Sequence, residues 1–152
     1  MSKWKETIGR ERIYNVNYPN TNVVHWDILK IKSEQRIRLE FISVNSPYRQ
    51  GVRLAVDAGE GYIEINSVNC GKAVQLWQDT YPHSVEIKCI SSEGILSVYN
   101  IFDRGVERGG VRSQLASCGM IVDDVNGEQI YRCNDSGFES NFDKLIFKIQ
   151  LL

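Results

Sequence analysis

The second half of the chain consists of short runs of alternating apolar and polar residues, separated by glycine-bearing turns roughly ten residues apart. No stretch with helical periodicity interrupts these runs. This rhythm is typical of antiparallel β-sandwiches and barrels. It predicts an all-β fold, an antiparallel two-sheet sandwich of jelly-roll type with roughly eight or nine strands and an irregular N-terminal arm.

The clearest strand signal begins at Arg36, where Ile37, Leu39 and Phe41 alternate with charged residues. Such alternation indicates a strand with one buried and one solvated face. The same reasoning predicts further strands at 52–57, 61–66, 72–77, 84–90 and 95–102. The connection 58–60 contains a glycine and has the length of a hairpin turn.

The pair Asn126-Gly127 predicts a hairpin between strands at 120–125 and 129–133, because both residues accept a positive φ at low cost. A closing strand is predicted from Leu145 to Leu151, with its alternate apolar residues on one face. Since this strand lies at the end of the sequence, it must pair within a sheet to avoid fraying.

Residues 1–35 differ from the rest, since several asparagines cluster around Pro19 and favour turns over a continuous strand. We expect this segment to form an arm or edge packed on a single domain of residues 36–152. Within the arm, the apolar run 23–31 is compatible with a strand or a short helix, and a strand is favoured.

Composition excludes several classes of protein. The 18 basic and 19 acidic residues give a formal charge of -1, so nucleic acid is an unlikely partner. No apolar run approaches the ~20 residues of a membrane span, which predicts no membrane association. The N-terminal residues lack the apolar core of a secretory signal, which predicts a cytoplasmic location. The four cysteines form no C-x-x-C pair and are expected to be buried thiols.

The stretch 103–114 has the least strand character, and it carries Arg104, Arg108 and Arg112 between glycines. Long loops in compact domains are often functional, although a solvated connection is the alternative. Guanidinium groups beside backbone amides are suited to phosphate or carboxylate. We therefore predict a ligand-binding loop here.

Acidic and amide side chains cluster near two turns of the second half. Carboxylate and amide oxygens suit a hard cation such as calcium, although no EF-hand spacing is present and solvated carboxylates are the alternative. No cofactor is required by the sequence, and calcium is the candidate metal. The candidate ligands are Asp123, Asp124, Asn134, Asp135, Glu139 and Asp143.

Aromatic residues near the predicted strand ends form a third candidate site. Their rings could stack on sugars or peptide side chains, although aromatic residues also favour strands and cores for packing reasons alone. The candidate ligand-binding aromatics are Trp77, Tyr81, Tyr99, Tyr131 and Phe138.

Enzymatic signals are weak, since His25 and His83 are each isolated from any cysteine or serine motif. No catalytic residue is assigned. The leading hypothesis is a non-catalytic binding module whose strand-end loops hold a carbohydrate, an anionic group or a calcium-assisted ligand. The alternative is an intracellular protein-interaction or assembly protein that uses the arm and a sheet edge, with homo-oligomers included, and a jelly-roll hydrolase ranks third.

Overall fold

The computed structural model describes residues 10–19, 22–56, 59–138 and 141–152. Strands dominate this part of the chain, and its one helical element is a 3-10 turn at Val106–Arg108. The strands are β1 (Ile13–Tyr14), β2 (Val24–Lys30), β3 (Glu34–Val44), β4 (Arg49–Ala55), β5 (Gly61–Ile65), β6 (Val68–Asn69), β7 (Ala73–Trp77), β8 (Ser84–Ser91), β9 (Ile95–Asp103), β10 (Val111–Arg112), β11 (Gly119–Val125), β12 (Glu128–Asn134) and β13 (Leu145–Leu151). The predicted all-β class is confirmed.

The strands form one antiparallel sheet that is curled into a half-barrel. Their order is β6-β5-β8-β3-β13-β12-β11-β2-β9-β4-β7, with β1 on β2 and β10 on β9. The two separate layers, the jelly-roll arrangement and the count of eight or nine strands are not confirmed, because 11 strands follow one another in a single hydrogen-bonded path and β1 and β10 branch from it, which makes 13 strands in one sheet.

The curl is produced where strands change partners along their length. Val24 of β2 pairs with Met120 of β11, whereas the second half of β2, from Asp27 to Lys30, pairs with β9. A strand shared in this way turns the hydrogen-bonded surface through a corner. The apolar core therefore lies on the concave side, where the inward residues of all the long strands meet.

A long bent hairpin forms the other corner. Ile65 pairs with Val68, so the turn consists of Asn66 and Ser67, both with positive φ (51° and 65°). One side of the hairpin consists of β4 followed by β5, and the other side consists of β6 followed by β7. Next to the turn β5 pairs with β6, and farther from it β4 pairs with β7. The predicted hairpin around 58–60 is therefore wrong, because β4 and β5 follow one another along the same side of this ribbon and do not pair together.

The strongest sequence signals are confirmed. Ile37 and Leu39 of β3 are fully buried. Val125 pairs with Glu128 across the turn Asn126-Gly127, as the sequence predicts. β13 lies between β12 and β3, which ties the end of the described chain into the centre of the sheet.

The N-terminal segment is more closely integrated than an arm. The run that forms β2 is indeed a strand, and it lies between β11 and β9 inside the sheet. The predicted boundary after residue 35 falls within β3. Asn15 anchors the preceding turn, since its side-chain amide donates to the carbonyl oxygens of Ala116 (2.8 Å) and Cys118 (2.6 Å). Residues 1–9, 20 and 21 of the predicted arm lie outside the described residues.

Within the described ranges, no helix has the length and the apolar character needed to cross a membrane.

Candidate functional site

The predicted arginine loop is a hairpin. Arg112 pairs with Phe102, Val111 pairs with Asp103, and the Arg104 amide donates to the Gly110 carbonyl at 3.1 Å. At its tip the chain makes the 3-10 turn and then returns through Gly109 and Gly110, whose φ angles are 97° and 65°. These angles favour glycine and allow the tight return. The stretch predicted to lack strands therefore extends β9 and adds β10.

The hairpin places Arg104 and Arg112 on one face. Side chains of directly opposed residues share a face, so Arg112 lies on the side of Phe102, and Arg104, two residues along, lies there too. The Arg104 guanidinium carbon is 5.9 Å from the centre of the Phe102 ring. Its Nε is buried and has no hydrogen-bond partner in the described part of the chain.

The three arginines differ from the other surface arginines in their charge environment. Arg36, Arg38 and Arg49 each contact a carboxylate at 2.8–2.9 Å. Arg104, Arg108 and Arg112 form no ion pair with any carboxylate of residues 10–19, 22–56, 59–138 and 141–152. Asp103 and Glu107 lie in the same hairpin, so residues 103–112 carry a formal charge of +1.

The base of the second predicted loop, which begins at Asn134, lies beside this hairpin. Gln50, which pairs with Phe102, donates its side-chain amide to Asp135 Oδ2 at 3.0 Å. Asn100 donates its side-chain amide to the Asn134 carbonyl at 3.0 Å. The two loops therefore leave the sheet at the same end.

Asn134 and Asp135 are buried connectors at that end. The Asp135 carboxylate accepts hydrogen bonds from Ser46 Oγ (2.5 Å), Gln50 and the Ser136 amide (2.6 Å). The Asn134 side-chain amide lies 2.9 Å from the Ser117 carbonyl, to which it donates, while its Oδ1 is buried without a partner among the described residues. Both side chains hold the loop in place.

The six predicted metal ligands do not converge. Asp123 and Asp124 lie near the other end of the β11–β12 hairpin from Asn134. Asp124 pairs with Gln129, which is roughly 17 Å from Asn134 along β12. Asp123 contacts Arg132 at 3.6 Å, and Asp143 Oδ2 accepts a hydrogen bond from Asn45 at 2.8 Å.

Glu139 lies outside the described residues. In the part of the chain that the structure covers, no three His, Cys, Asp or Glu side chains are placed to hold an ion together. Calcium binding stays a prediction, and any site at the Asn134 loop would exclude Asp123 and Asp124.

The predicted aromatic residues occupy three different places. Trp77 is half-buried, with the Arg49 guanidinium 4.5 Å above its ring, and the amide of half-buried Tyr81 donates to the Trp77 carbonyl. Tyr99 is 8% exposed and lies between Arg53 and Trp26 on the outer face of β9. Phe138 is 61% exposed in the Asn134 loop, with its ring centre 5.2 Å from that of Tyr18.

Tyr131 is fully buried, so its ring offers no surface to a ligand. It stacks on Phe147 at 4.5 Å, and its hydroxyl donates to Asp27 Oδ2 at 2.7 Å. Burial and the adjacent Asp27 carboxylate raise the pKa of Tyr131 well above its usual value. The predicted role of Tyr131 in contacting a surface ligand conflicts with this buried position. Its hydroxyl is instead a hydrogen-bond donor to the buried Asp27 carboxylate.

Asp27 is an important residue that sequence reasoning missed. It is fully buried, and its Oδ1 accepts a hydrogen bond from Arg12 Nε at 2.7 Å. Burial alone would lower the pKa of Arg12, but hydrogen bonds and charge attraction from Asp27 and Tyr14 outweigh this effect and raise it. A lone aspartate between Trp26 and Ile28 was the available signal.

The outer face of β5, β8 and β3 carries two shallow grooves that the sequence did not indicate. One, of about 410 Å³, is lined by Glu64, Glu86 and Lys88 among others, and its neighbour, of about 530 Å³, is lined by Tyr62 and Glu34. Some of these charges pair with one another. Lys88 Nζ lies 2.7 Å from Glu34, and Arg36 and Arg38 both contact Glu86. Hydrogen bonds from Arg38 and Arg36 lower the pKa of Glu86.

The four cysteines are free thiols, and three of them are buried. Cys89, Cys118 and Cys133 are buried as predicted, and burial raises the pKa of Cys118 to about 11 and that of Cys89 to about 12. Cys70 is exposed, which corrects the prediction for that residue, because it follows the short edge strand β6. His25 Nε2 lies 3.1 Å from the Leu115 carbonyl.

No protein-family model matches the chain, and searches of curated proteins and of solved structures gave no significant match.

Proposed function

We propose that this protein is a non-catalytic binding module that holds an anionic group, a carboxylate or a phosphate, on the β9–β10 hairpin. The observation that supports this proposal best is that Arg104 and Arg112 lie on the same face of the hairpin. Neither has a carboxylate partner among the described residues. Guanidinium groups recognise carboxylate and phosphate oxygens through paired N–H donors.

The surroundings of Arg104 support an anion more than a neutral ligand. Its buried Nε has a donor that no described group accepts, and a buried donor without a partner costs about 1–3 kcal/mol. An anion oxygen would remove that cost once the side chain turned to present this N–H to the ligand. Phe102, which stacks with Tyr48 at a centroid distance of 6.0 Å, provides a rigid floor beneath the guanidinium.

The Asn134 loop forms the second wall in this proposal, since its base is joined to the strands that carry the hairpin. Exposed Phe138 would supply an apolar surface to a larger ligand, including a carbohydrate. Three buried thiols and one exposed thiol, all free, are consistent with the proposed cytoplasmic location, where thiols stay reduced.

The test is thermal unfolding of the protein with phosphate or citrate at millimolar concentration, with glycans and calcium in parallel arms. Binding to the folded state stabilises it by RT ln(1 + [L]/Kd), so Tm rises as the ligand concentration is increased. We expect phosphate or citrate to raise the Tm of the wild-type protein. The variant R104A/R108A/R112A should fold normally and lose this response.

The matched control is R10A/R36A/R132A, which removes three exposed arginines elsewhere on the surface. It should keep the anion response of the wild type. The proposal is wrong if neither anion shifts Tm, or if both triple variants lose the response equally, since that would indicate a general charge effect. If R104A/R108A/R112A unfolds, the loop has a structural role and the proposal is also wrong.

The interaction-protein alternative is favoured by a separate observation, the open edge of β7. Its second predicted surface, the N-terminal arm, is engaged within the molecule through Asn15 and Arg12. Among the described residues, the β7 edge is therefore the surface that we consider for this contact.

A further inference from the structure

The strand β7 presents an open edge. It is the last strand in the sheet order, and no described strand pairs with its outer side. The other terminal strand, β6, has only two residues. Between Ala73 and Trp77 this edge contains no charged residue and no proline, which are the usual protections against edge-to-edge pairing.

The hydrogen-bond pattern shows which residues face outward. The Gln78 amide donates to Gln50, and the Val56 amide donates to Lys72, so alternate residues of β7 bond to β4. In an antiparallel pair the residues between them point their N–H and C=O groups away. These outward residues are Ala73, Gln75 and Trp77. The Trp77 carbonyl already accepts from Thr80 and Tyr81, which leaves its N–H for another chain.

We infer that a second copy of this chain pairs with β7 in antiparallel orientation, about a twofold axis at Gln75, to form a dimer with a continuous sheet. In this register the two Gln75 residues exchange backbone hydrogen bonds. Each Trp77 N–H reaches the Ala73 carbonyl of the other copy. Symmetric self-pairing of one strand satisfies both copies at once, which closes the assembly as a dimer.

Side chains on the outer face are compatible with this register. It sets the large Trp77 of one copy opposite the small Ala73 of the other, on the face where Arg49 stacks on Trp77 at 4.5 Å. Tryptophan and arginine are the residues most enriched in interface hot spots.

The charges at the ends of the edge are also complementary. The ribbon runs from exposed Lys72 to exposed Asp79, so antiparallel pairing brings Lys72 of one copy towards Asp79 of the other, although Arg49 of the same copy already pairs with Asp79 at 2.8 Å. No like charges oppose one another within Ala73–Trp77. This inference rests on β7 alone and is independent of the anion site.

The first test is the molar mass of the wild-type protein by light scattering at increasing concentration, compared with Q75K and Q75E. We expect the wild type to reach twice the mass of one chain. Each variant alone should be monomeric, because the twofold axis places like charges together. An equimolar mixture should restore the dimer. The control S84K carries the same charge change on exposed Ser84 of β8, away from the edge, and should dimerise like the wild type.

A wild-type protein that stays monomeric at millimolar concentration overturns the inference, as does a Q75K variant that still dimerises. If the charged variants fail to fold, Gln75→Cys in a C70S background answers the question instead. Facing residues of an antiparallel pair lie about 5.5 Å apart at Cα, a distance that a disulfide can span. Mild oxidation should crosslink this variant, and absence of the crosslink would contradict the dimer.

Discussion

At the scale of single residues, the most consequential feature is the buried group formed by Asp27, Arg12 and Tyr131. Both carboxylate oxygens of Asp27 are hydrogen-bonded, one to each partner, inside an otherwise apolar core. A buried charge is tolerated only when it is paired in this way. The contact also fastens the N-terminal segment to the centre of the sheet.

Replacing Asp27 by alanine should therefore destabilise the fold strongly. Loss of one partner from a buried pair leaves the other uncompensated, and we expect the free energy of unfolding to fall by about 3 kcal/mol, the low end of this effect because Arg12 still reaches water. Urea denaturation measures the change. Glu86→Ala, which removes an exposed carboxylate with two arginine partners, is the control and should cost much less. Equal losses would mean that Asp27 has no special role.

At the scale of strands and turns, two hairpins have the same geometry with different residues. The turns Asn66-Ser67 and Asn126-Gly127 each join strands through two residues of positive φ. Glycine adopts this conformation freely, whereas a residue with a Cβ pays for it. Ser67 at φ 65° is therefore strained where Gly127 at φ 79° is not.

This difference predicts opposite effects for reciprocal substitutions. Ser67→Gly should raise the free energy of unfolding by about 1 kcal/mol, and Gly127→Ser should lower it by about the same amount. Both residues are exposed, so packing changes little. Thermal unfolding of the two variants measures both changes in the free energy of unfolding. Changes of the same sign would show that the turns are not equivalent.

The sequence predicted individual strands better than their neighbours. Alternation located β3 and β13, and Asn-Gly located the β11–β12 turn, because these signals are local. The partner of β4 could not be predicted, because residues 58–60 have the length of a hairpin turn and yet connect two strands that do not pair. Nothing local distinguishes such a connection from a turn.

The candidate site was also predicted only in part, because the sequence shows local patterns and does not show which strands pair. The arginine spacing drew attention to 104–112, but the pairing of Phe102 with Arg112, which sets two arginines on one face, depends on register. Tyr131 was misplaced because its burial follows from the position of β12 between β11 and β13, where its ring stacks on Phe147, and this pairing is not visible in the local sequence. The six acidic and amide residues were grouped by composition, whereas the length of β12 keeps two of them apart.

At the scale of the whole molecule, curling of one sheet brings distant segments to a common end. The hairpin after β9 and the loop after β12 meet there through Gln50 and Asn100, although their bases are some thirty residues apart in sequence. The curl also leaves β7 at an edge, two strands from β9. Gln75 pairs with Arg53, which pairs with Tyr99, five residues or roughly 17 Å along the strand from Arg104. We therefore expect anion binding and dimer formation to be independent, with Q75K keeping the anion response.

The most direct test of the anion site is the NMR signal of the Arg104 Nε–H group during titration with inorganic phosphate, with chloride at matched ionic strength as the reference. We predict a saturable shift of this signal, accompanied by the Arg112 Nε–H and the Gly109 and Gly110 amides, while the Arg36 and Arg38 signals stay in place. A titration in which Arg104 does not move, or in which all arginines move together without saturation, would contradict the proposed site.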